Sequence, residues 1–299
     1  MTARTAGPAG AAVAAAADAL RRAETVWLGT HVDPDGDAIG SLLGLAHVLT
    51  GLGKRVVAAC QDPPPRDARW LPGAAAIVAH GPAAAAPGRF DLAVALDAAD
   101  ERRLGTLYDA ASWAAQPTLV IDHHVSNPGF GDVDCIVPDK AATCEILVDV
   151  AAALGASVSA EAATCLLCGL VTDTIGFRTP STTAGTLAAA GRLMDAGAEL
   201  AAVMHHAFLS RPLVTLQLEG RALSRMTVDG PFALSWLTLA DFDELGAAPE
   251  DGRGIVHALA AAAEPTAVAL LRERHDHSFD VSLRTSRPVD LVPAAAALG

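Results

Sequence analysis

The sequence predicts an α/β protein: a parallel sheet with helices on both faces, followed by a second, smaller α/β domain. Three observations predict it. Strand-length apolar runs alternate with helical stretches through the first half of the chain. Those runs are apolar at nearly every position rather than at every second one, as in a sheet buried on both faces. Near Met226 the texture changes to shorter strand-like runs around a single helix. The strand–helix–strand rhythm implies a doubly wound parallel sheet. The 299 residues suffice for one large domain or two ordinary ones, and 52% hydrophobic residues supply a core. Aromatics at 4% leave that core to Ala, Leu and Val.

Taken in order, an Ala-rich helix is expected over 11–24, then strands at Thr25–Thr30 and Arg55–Cys60 with a helix from Ala38 to Leu52 between them. Further strands are expected at Phe90–Leu96 and Thr118–Ile121. The Pro- and Ala-rich stretches 62–65 and 82–87 read as loops. Helices dominate from Ala141 to Leu209, with a break near Gly176–Pro180. The second domain carries strands at Phe232–Leu239, Thr266–Arg272 and Phe279–Leu283 around a helix at Gly254–Ala263. The expected domains are therefore 1–208 and 226–299, with 209–225 as a linking segment that itself reads as helical.

The net charge of −13 argues against a grip on long nucleic acid, which needs a basic surface to displace counterions. A small anion held by a few Arg residues and bound cations remains compatible with it. Five cysteines, odd in number and unevenly spaced, read as reduced thiols of a cytoplasmic protein. The N-terminus lacks a signal-peptide layout, and no apolar run reaches the roughly 18 to 20 residues of a membrane span. A soluble protein away from membranes is expected, and a homodimer is left open.

Four acidic or imidazole clusters stand at the ends of apolar segments, where ligands of open parallel sheets bind. The first is Thr30-His31-Val32-Asp33-Pro34-Asp35-Gly36-Asp37. Here Pro34 should hold Asp33 extended, Gly36 should permit a sharp turn, and Asp35 and Asp37 should face one side. The helix near Ala38 then offers its N-terminus to an anion. The others are Asp97 with Asp100 and Arg103, Asp122-His123-His124, and Asp173. Asp33, Asp62 and Asp91 read as turn or cap residues.

Asp35, Asp37, Asp97 and Asp173 in one place cannot all ionise unless cations balance them. Two divalent ions would do so, and they suit phosphate-ester hydrolysis because together they acidify a water and clamp the attacked group. Asp97 is the expected shared ligand. His and Asp donors without Cys favour Mn²⁺, with Mg²⁺ or Fe as alternatives.

The run His31-Val-Asp-Pro-Asp35-Gly-Asp37-Ala-Ile-Gly40-Ser41, with Asp97, Asp122-His123-His124 and Asp173, resembles in order the four motifs of the DHH phosphoesterase family. Val281-Ser282-Leu283-Arg284 and Val289-Asp290-Leu291 resemble its partner domain, DHHA1. The resemblance implies metal ligands at His31, Asp35, Asp37, Asp97, His123 and Asp173, with His124 facing the scissile phosphate. Arg103, Asn127 and Arg284 are expected contacts to phosphate or base. It further implies hydrolysis of short oligoribonucleotides or dinucleotides to 5′-mononucleotides. The substrates in view are the linear dinucleotide pApA, cyclic di-AMP and 3′-phosphoadenosine 5′-phosphate. A DHH-class inorganic pyrophosphatase and a non-catalytic nucleotide-binding regulator are the alternatives. Family members continue past a segment like Ala294–Gly299 into a Gly-rich loop, and that loop is expected to be absent here.

Three features suggest metals and read better otherwise. Cys165 and Cys168 lie in an apolar helical stretch with no second pair, as buried thiols do. His205-His206 reads as a helix end, and His275 and His277 flank Asp276 in a polar hairpin turn.

Overall fold

A computed structural model describes residues 7–79, 90–276 and 278–285. The chain forms two compact units, 1–210 and 211–299. The 82–87 loop, His277, the 289–291 motif and the final segment lie outside the described residues.

The first unit holds a six-stranded sheet: β1 (Thr25–Thr30), β2 (Arg55–Cys60), β3 (Val78–Ala79), β4 (Leu92–Leu96), β5 (Thr118–Asp122) and β6 (Val133–Ile136). The order is β3-β2-β1-β4-β5-β6, and every pairing is parallel. The sequence reading found four of these strands. Alternate residues of β1, β4 and β5 serve two separate cores. Val26, Leu28, Val94, Leu96, Leu119 and Ile121 face a helical layer. That layer is built from α1 (Pro8–Arg22), α2 (Gly36–Gly51), α4 (Thr143–Leu154), α5 (Ala160–Asp173) and α6 (Ala184–Asp195).

Trp27, Ala93, Ala95 and Val120 face the other way. They are covered by a 3-10 segment, Glu101–Leu107, and the five-residue α3 (Ala110–Ala114), neither of which the sequence reading anticipated. Small Ala side chains on this face leave room for aromatics, which collect here: Trp27 and Trp113 meet edge to face at 5.9 Å. Such a pair adds about 0.5–1.5 kcal/mol beyond its burial.

α2 and α5 pack with almost no space between them. A Cβ at Gly40 would lie 2.6 Å from the Cys165 carbonyl, and one at Gly169 would lie 2.6 Å from Asp37 Oδ1. Leu200–Met204 forms α7 and runs into a π-helical turn, His205–Leu209, whose His206 stacks on Trp70 at 4.2 Å. Among the described residues no helix is long and apolar enough to cross a membrane.

The second unit has a mixed sheet of β7 (Thr227–Asp229), β8 (Phe232–Leu237), β9 (Ala267–Glu273) and β10 (Phe279–Thr285), in the order β10-β9-β8-β7. Only β8–β9 is parallel, and α9 (Leu239–Leu245) and α10 (Ile255–Leu259) lie in the connection between them. Most of the expected linking segment 209–225 is α8 (Leu213–Arg225). Its Leu218 and Ala222 sit in this unit's core beside Leu237, Ile255 and Leu270, because its apolar stripe has a face to bury. On the sheet's other face Phe232, Leu234, Trp236, Phe279 and Val281 are exposed.

Candidate metal centre

From β1 the chain moves outward to β2 and β3, then returns to the other side of β1 as β4. The carboxyl ends of β1 and β4 therefore flank a topological switch point, the place where open α/β sheets bind ligands. His31 follows β1 and Asp97 follows β4, while Asp122 ends the adjoining β5. Asp173 arrives as the last residue of α5, and Asp37 lies in the first turn of α2.

The loop after β1 differs from its sequence reading. Asp33 is not extended: it takes a left-handed φ of 55°, which Asp tolerates better than most residues, and its amide donates to Asp62 Oδ2 at 2.8 Å. Gly36 makes no positive-φ turn; a Cβ there would strike Thr172 Oγ1 at 2.3 Å. Nor are Asp35 and Asp37 in an extended run. Asp35 is the N-cap of α2, accepting from the amides of Asp37 and Ala38, and Asp37 is already helical. Asp91 braces strand starts by accepting from Glu24 and Thr25, and Asp100 caps the 101–107 segment.

Side chains from the ends of β1, β4 and β5 and from α2 and α5 converge, among the described residues, in three overlapping groups with metal-ligating geometry: His31–Asp35–Asp97, Asp97–His123–His124, and Asp37–His123–Asp173. His31 Nε2 is 3.6 Å from Asp97 Oδ2 and 3.9 Å from Asp35 Oδ1. His123 Nε2 is 3.6 Å from Asp97 Oδ1 and 3.4 Å from Asp173 Oδ2. The two oxygens of Asp97 thus face different imidazoles. His31 Nδ1 lies 2.7 Å from the Val32 carbonyl, which can only accept, and 3.2 Å from the Arg103 guanidinium, which can only donate; the shorter contact favours a proton on Nδ1 and a lone pair on Nε2.

The acids are under electrostatic stress. Burial first, then the charges of Asp37, Asp35 and Asp173, push Asp97 well above the usual carboxylate range. Burial pushes Asp37 up to about 6, against opposing hydrogen bonds from Cys144. Burial and then Asp37 push Asp173 up to about 7. Each value says that the site disfavours its own negative charge, and a cation among these oxygens removes the penalty. The donors are carboxylate oxygens and imidazoles, with no thiolate in any of the three groups. This set fits divalent ions that accept both donor types.

Asp122 is fully buried and ligates nothing in these groups. Its Oδ1 accepts from the His123 amide at 2.8 Å and from His124 Nδ1 at 2.7 Å. Burial pushes Asp122 up, but the bonds from His124 and Asn127 outweigh it and leave the group lowered. The bond from Asp122 in turn pushes His124 up to about 9. His124 is 42% exposed, so its Nε2 edge can meet a ligand while Nδ1 stays fixed.

The expected substrate contacts fare differently. Arg103 stands beside the site, its guanidinium 3.2 Å from His31 Nδ1 and its carbonyl accepting from the Val32 amide. Asn127 is occupied internally: Nδ2 donates to Asp122 Oδ2 at 2.7 Å and to the Ala98 carbonyl at 3.0 Å, and Oδ1 accepts from Gly129. It ties the loop after β4 to the loop after β5. Arg284 belongs to β10 of the second unit, donating to the Leu283 carbonyl and lying 3.4 Å from His257 Nε2. All five cysteines are free and buried, Cys165 and Cys168 among them.

The sequence reading missed Thr143. It is fully buried at the start of α4, and its hydroxyl donates to Asp97 Oδ1 at 2.9 Å. Its amide and that of Cys144 donate to the two oxygens of Asp37 at 2.6 and 3.0 Å. A threonine 46 residues from Asp97 carries no ligand signal of its own.

Comparison with known proteins places this geometry. Residues 25–170 match the model of the DHH family, N-terminal domain. The chain is 35% identical to the bifunctional oligoribonuclease and PAP phosphatase NrnA of Thermus thermophilus, over 95% of this chain and 83% of that protein. It is 23% identical to a probable enzyme of the same name from Streptococcus mutans, over 70% of this chain and 64% of that protein. Among solved structures, an exopolyphosphatase-related protein from Bacteroides fragilis superposes with a TM-score of 0.90 at 25% identity, covering 99% of this chain and 88% of that one. The exonuclease RecJ bound to manganese shares the fold at a TM-score of 0.50 and 16% identity, covering 99% of this chain and 86% of that one. With its motifs gathered at the switch point of a parallel sheet, the chain belongs to the DHH family of metal-dependent phosphoesterases.

Proposed function

We propose that the chain is a two-metal phosphodiesterase that cuts short oligoribonucleotides and dinucleotides to 5′-mononucleotides. The observation that carries this is the sharing of Asp97 between the His31 side and the His123 side of the site. On this reading His31, Asp35, Asp37, Asp97, His123 and Asp173 hold two divalent ions, with Mn²⁺ the preferred metal. When bound, such ions acidify an attacking water and neutralise charge on the phosphate. The similarity to a protein named oligoribonuclease and PAP phosphatase supports short RNA and 3′-phosphoadenosine 5′-phosphate as substrates. Cyclic di-AMP and pApA belong to the same proposed class.

The chain's own residues do the rest. Asp122 holds His124 with its Nδ1 proton engaged, which leaves Nε2 to give a proton to the departing oxygen or to stabilise its charge. Asn127 holds Asp122, so its part is to fix His124 through that carboxylate. Arg103 beside His31 is placed to take a phosphate oxygen, and Arg284 is a proposed contact to the far part of the nucleotide.

The test is a panel with Mn²⁺: an RNA dinucleotide, cyclic di-AMP, 3′-phosphoadenosine 5′-phosphate, pyrophosphate and an RNA of many tens of units, with products identified. The expected result is 5′-mononucleotide from the dinucleotide, released much faster than from long RNA. In the same assay His124→Ala should keep its metals and lose about 10²- to 10⁴-fold in kcat. Pyrophosphate as the preferred substrate would overturn the reading.

A further inference from the structure

The carboxylate expected to be shared has a freedom that must be removed. A carboxyl group turns easily about its last torsion, and a free Asp97 could offer both oxygens to one imidazole set and none to the other. Its backbone is fixed by a left-handed φ of 56° and by its amide N–H, which donates a hydrogen bond to the Ile121 carbonyl. Those constraints place Cβ and leave the carboxylate plane undecided.

We infer that Thr143 is a positioning residue that sets how Asp97 is divided between the two metal positions. The inference rests on the two-metal reading above and names a residue outside its ligand set. A threonine hydroxyl has one proton to give, and here it goes to Asp97 Oδ1. That oxygen lies on the His123 side, so Oδ2 is turned toward His31. The backbone that carries the hydroxyl is held in place, because the Thr143 amide is anchored on Asp37 Oδ2. One residue in the first turn of α4 therefore touches two of the proposed ligand carboxylates, which arrive from α2 and from β4.

The start of α4 is held from behind. Glu145, only 1% exposed, accepts from Lys140 Nζ at 3.0 Å, from the Ala141 amide at 3.1 Å and from Thr186 Oγ1 at 3.0 Å. The hydroxyl thus acts from a fixed support. Groups of this kind, one bond beyond a metal ligand, govern ligand direction, and their loss typically weakens metal binding about 10- to 100-fold.

The experiment uses the full chain as wild type, Thr143→Val and Thr143→Ser. Mn²⁺ affinity and stoichiometry are read from the electron paramagnetic resonance signal of free Mn²⁺, and folding from circular dichroism melts in chelator. Valine keeps the shape and loses the proton donor, whereas serine keeps the donor. The expected result is at least one Mn²⁺ bound about 10- to 100-fold more weakly in Thr143→Val. Thr143→Ser should stay near wild type, and the dinucleotide KM at saturating Mn²⁺ should not change. If Thr143→Val does not fold, Thr143→Ser against Thr143→Ala makes the same comparison, since both lack the methyl group and one retains the hydroxyl. Equal Mn²⁺ binding with and without the hydroxyl, in a wild type that binds two ions and cuts dinucleotide, overturns the role of Thr143 alone. A wild type that binds no Mn²⁺ overturns the two-metal reading and this inference with it.

Discussion

Asp97 in the first unit and Asp241 in the second are buried alike, at 3% and 2% exposure, and their surroundings treat them in opposite ways. Asp241 accepts from Arg225 and Arg221, with Arg225 Nη2 and Arg221 Nη1 at 2.8 and 2.9 Å, and Thr238 adds two more donors. The bond from Arg225 above all holds it far below the usual carboxylate range. Asp97 has one neutral hydroxyl donor, three acidic neighbours and only a partial offset from His124, whose Nδ1 is 3.9 Å away, and burial above all holds it well above that range. Within one chain, then, a buried carboxylate with a structural task has its counter-charge supplied by folding. The acids at the switch point receive only part of theirs, from the neighbouring imidazoles, and the shortfall is what a bound cation would make up.

The largest effect should come from removing that stress. Asp97→Asn is expected to cost more than about 10²-fold in dinucleotide cleavage, beyond what loss of an outer-shell partner costs. In chelator at pH 8 the same variant should melt no lower than wild type, because an uncompensated buried charge has gone. A lower melting point would erase the contrast with Asp241. There the expected result is the reverse: Asp241→Asn should leave the chemistry of the first unit in place and destabilise the second unit by about 3 kcal/mol. Its partners are partly exposed, so this lies at the low end for breaking a buried ion pair. Denaturant unfolding with a probe on Trp236 would measure it.

The last effect is the pH dependence, and its sign differs between the two regions. In the metal-free folded state Asp37 and Asp173 keep protons up to about 6 and about 7. The unfolded chain releases them near pH 4. The folded state binds more protons in that window, so stability should fall as pH rises from about 4 to about 7. Saturating Mn²⁺ should abolish the slope. Asp241 has a depressed folded value, so its contribution is present above pH 4 and fades only below it. Melts in chelator between pH 5 and pH 8 that stay flat would show the first-unit acids to be less coupled than their burial implies.

Much of this was legible in the sequence because it is local. β1 and β2 have the ends their apolar runs suggest, and the proposed ligands stand directly after β1, β4 and β5 or at a helix end. β6 was not legible, since Asp134 interrupts a run of only four residues, and the cover of the Trp27 face was too short to show helical periodicity. From sequence alone Asn127 is a plausible contact to phosphate or base. Its amide is spent on Asp122 and Ala98, and those partners exist only once two strand ends lie side by side. Thr143 and the Arg221–Arg225 grip on Asp241 were silent for the same reason. Hydroxyls and arginines are common, and what gives these few a task is a partner many residues away.

The close approach of α2 and α5 has a practical consequence for stabilising this protein. Replacing glycine by alanine stiffens the unfolded chain and is a standard route to a more heat-resistant variant. Gly191 in α6 and Gly220 in α8 have open space where a methyl group would go and no positive φ, so the route is available there. At Gly40 the same methyl group meets a backbone carbonyl that cannot step aside, and at Gly169 it meets the carboxylate of Asp37. An alanine scan chosen by composition alone would treat these four glycines as equivalent. Two of them set the spacing of α2 and α5, which carry the proposed ligands Asp37 and Asp173, so on that reading heat resistance and activity are coupled through a gap the width of one methyl group.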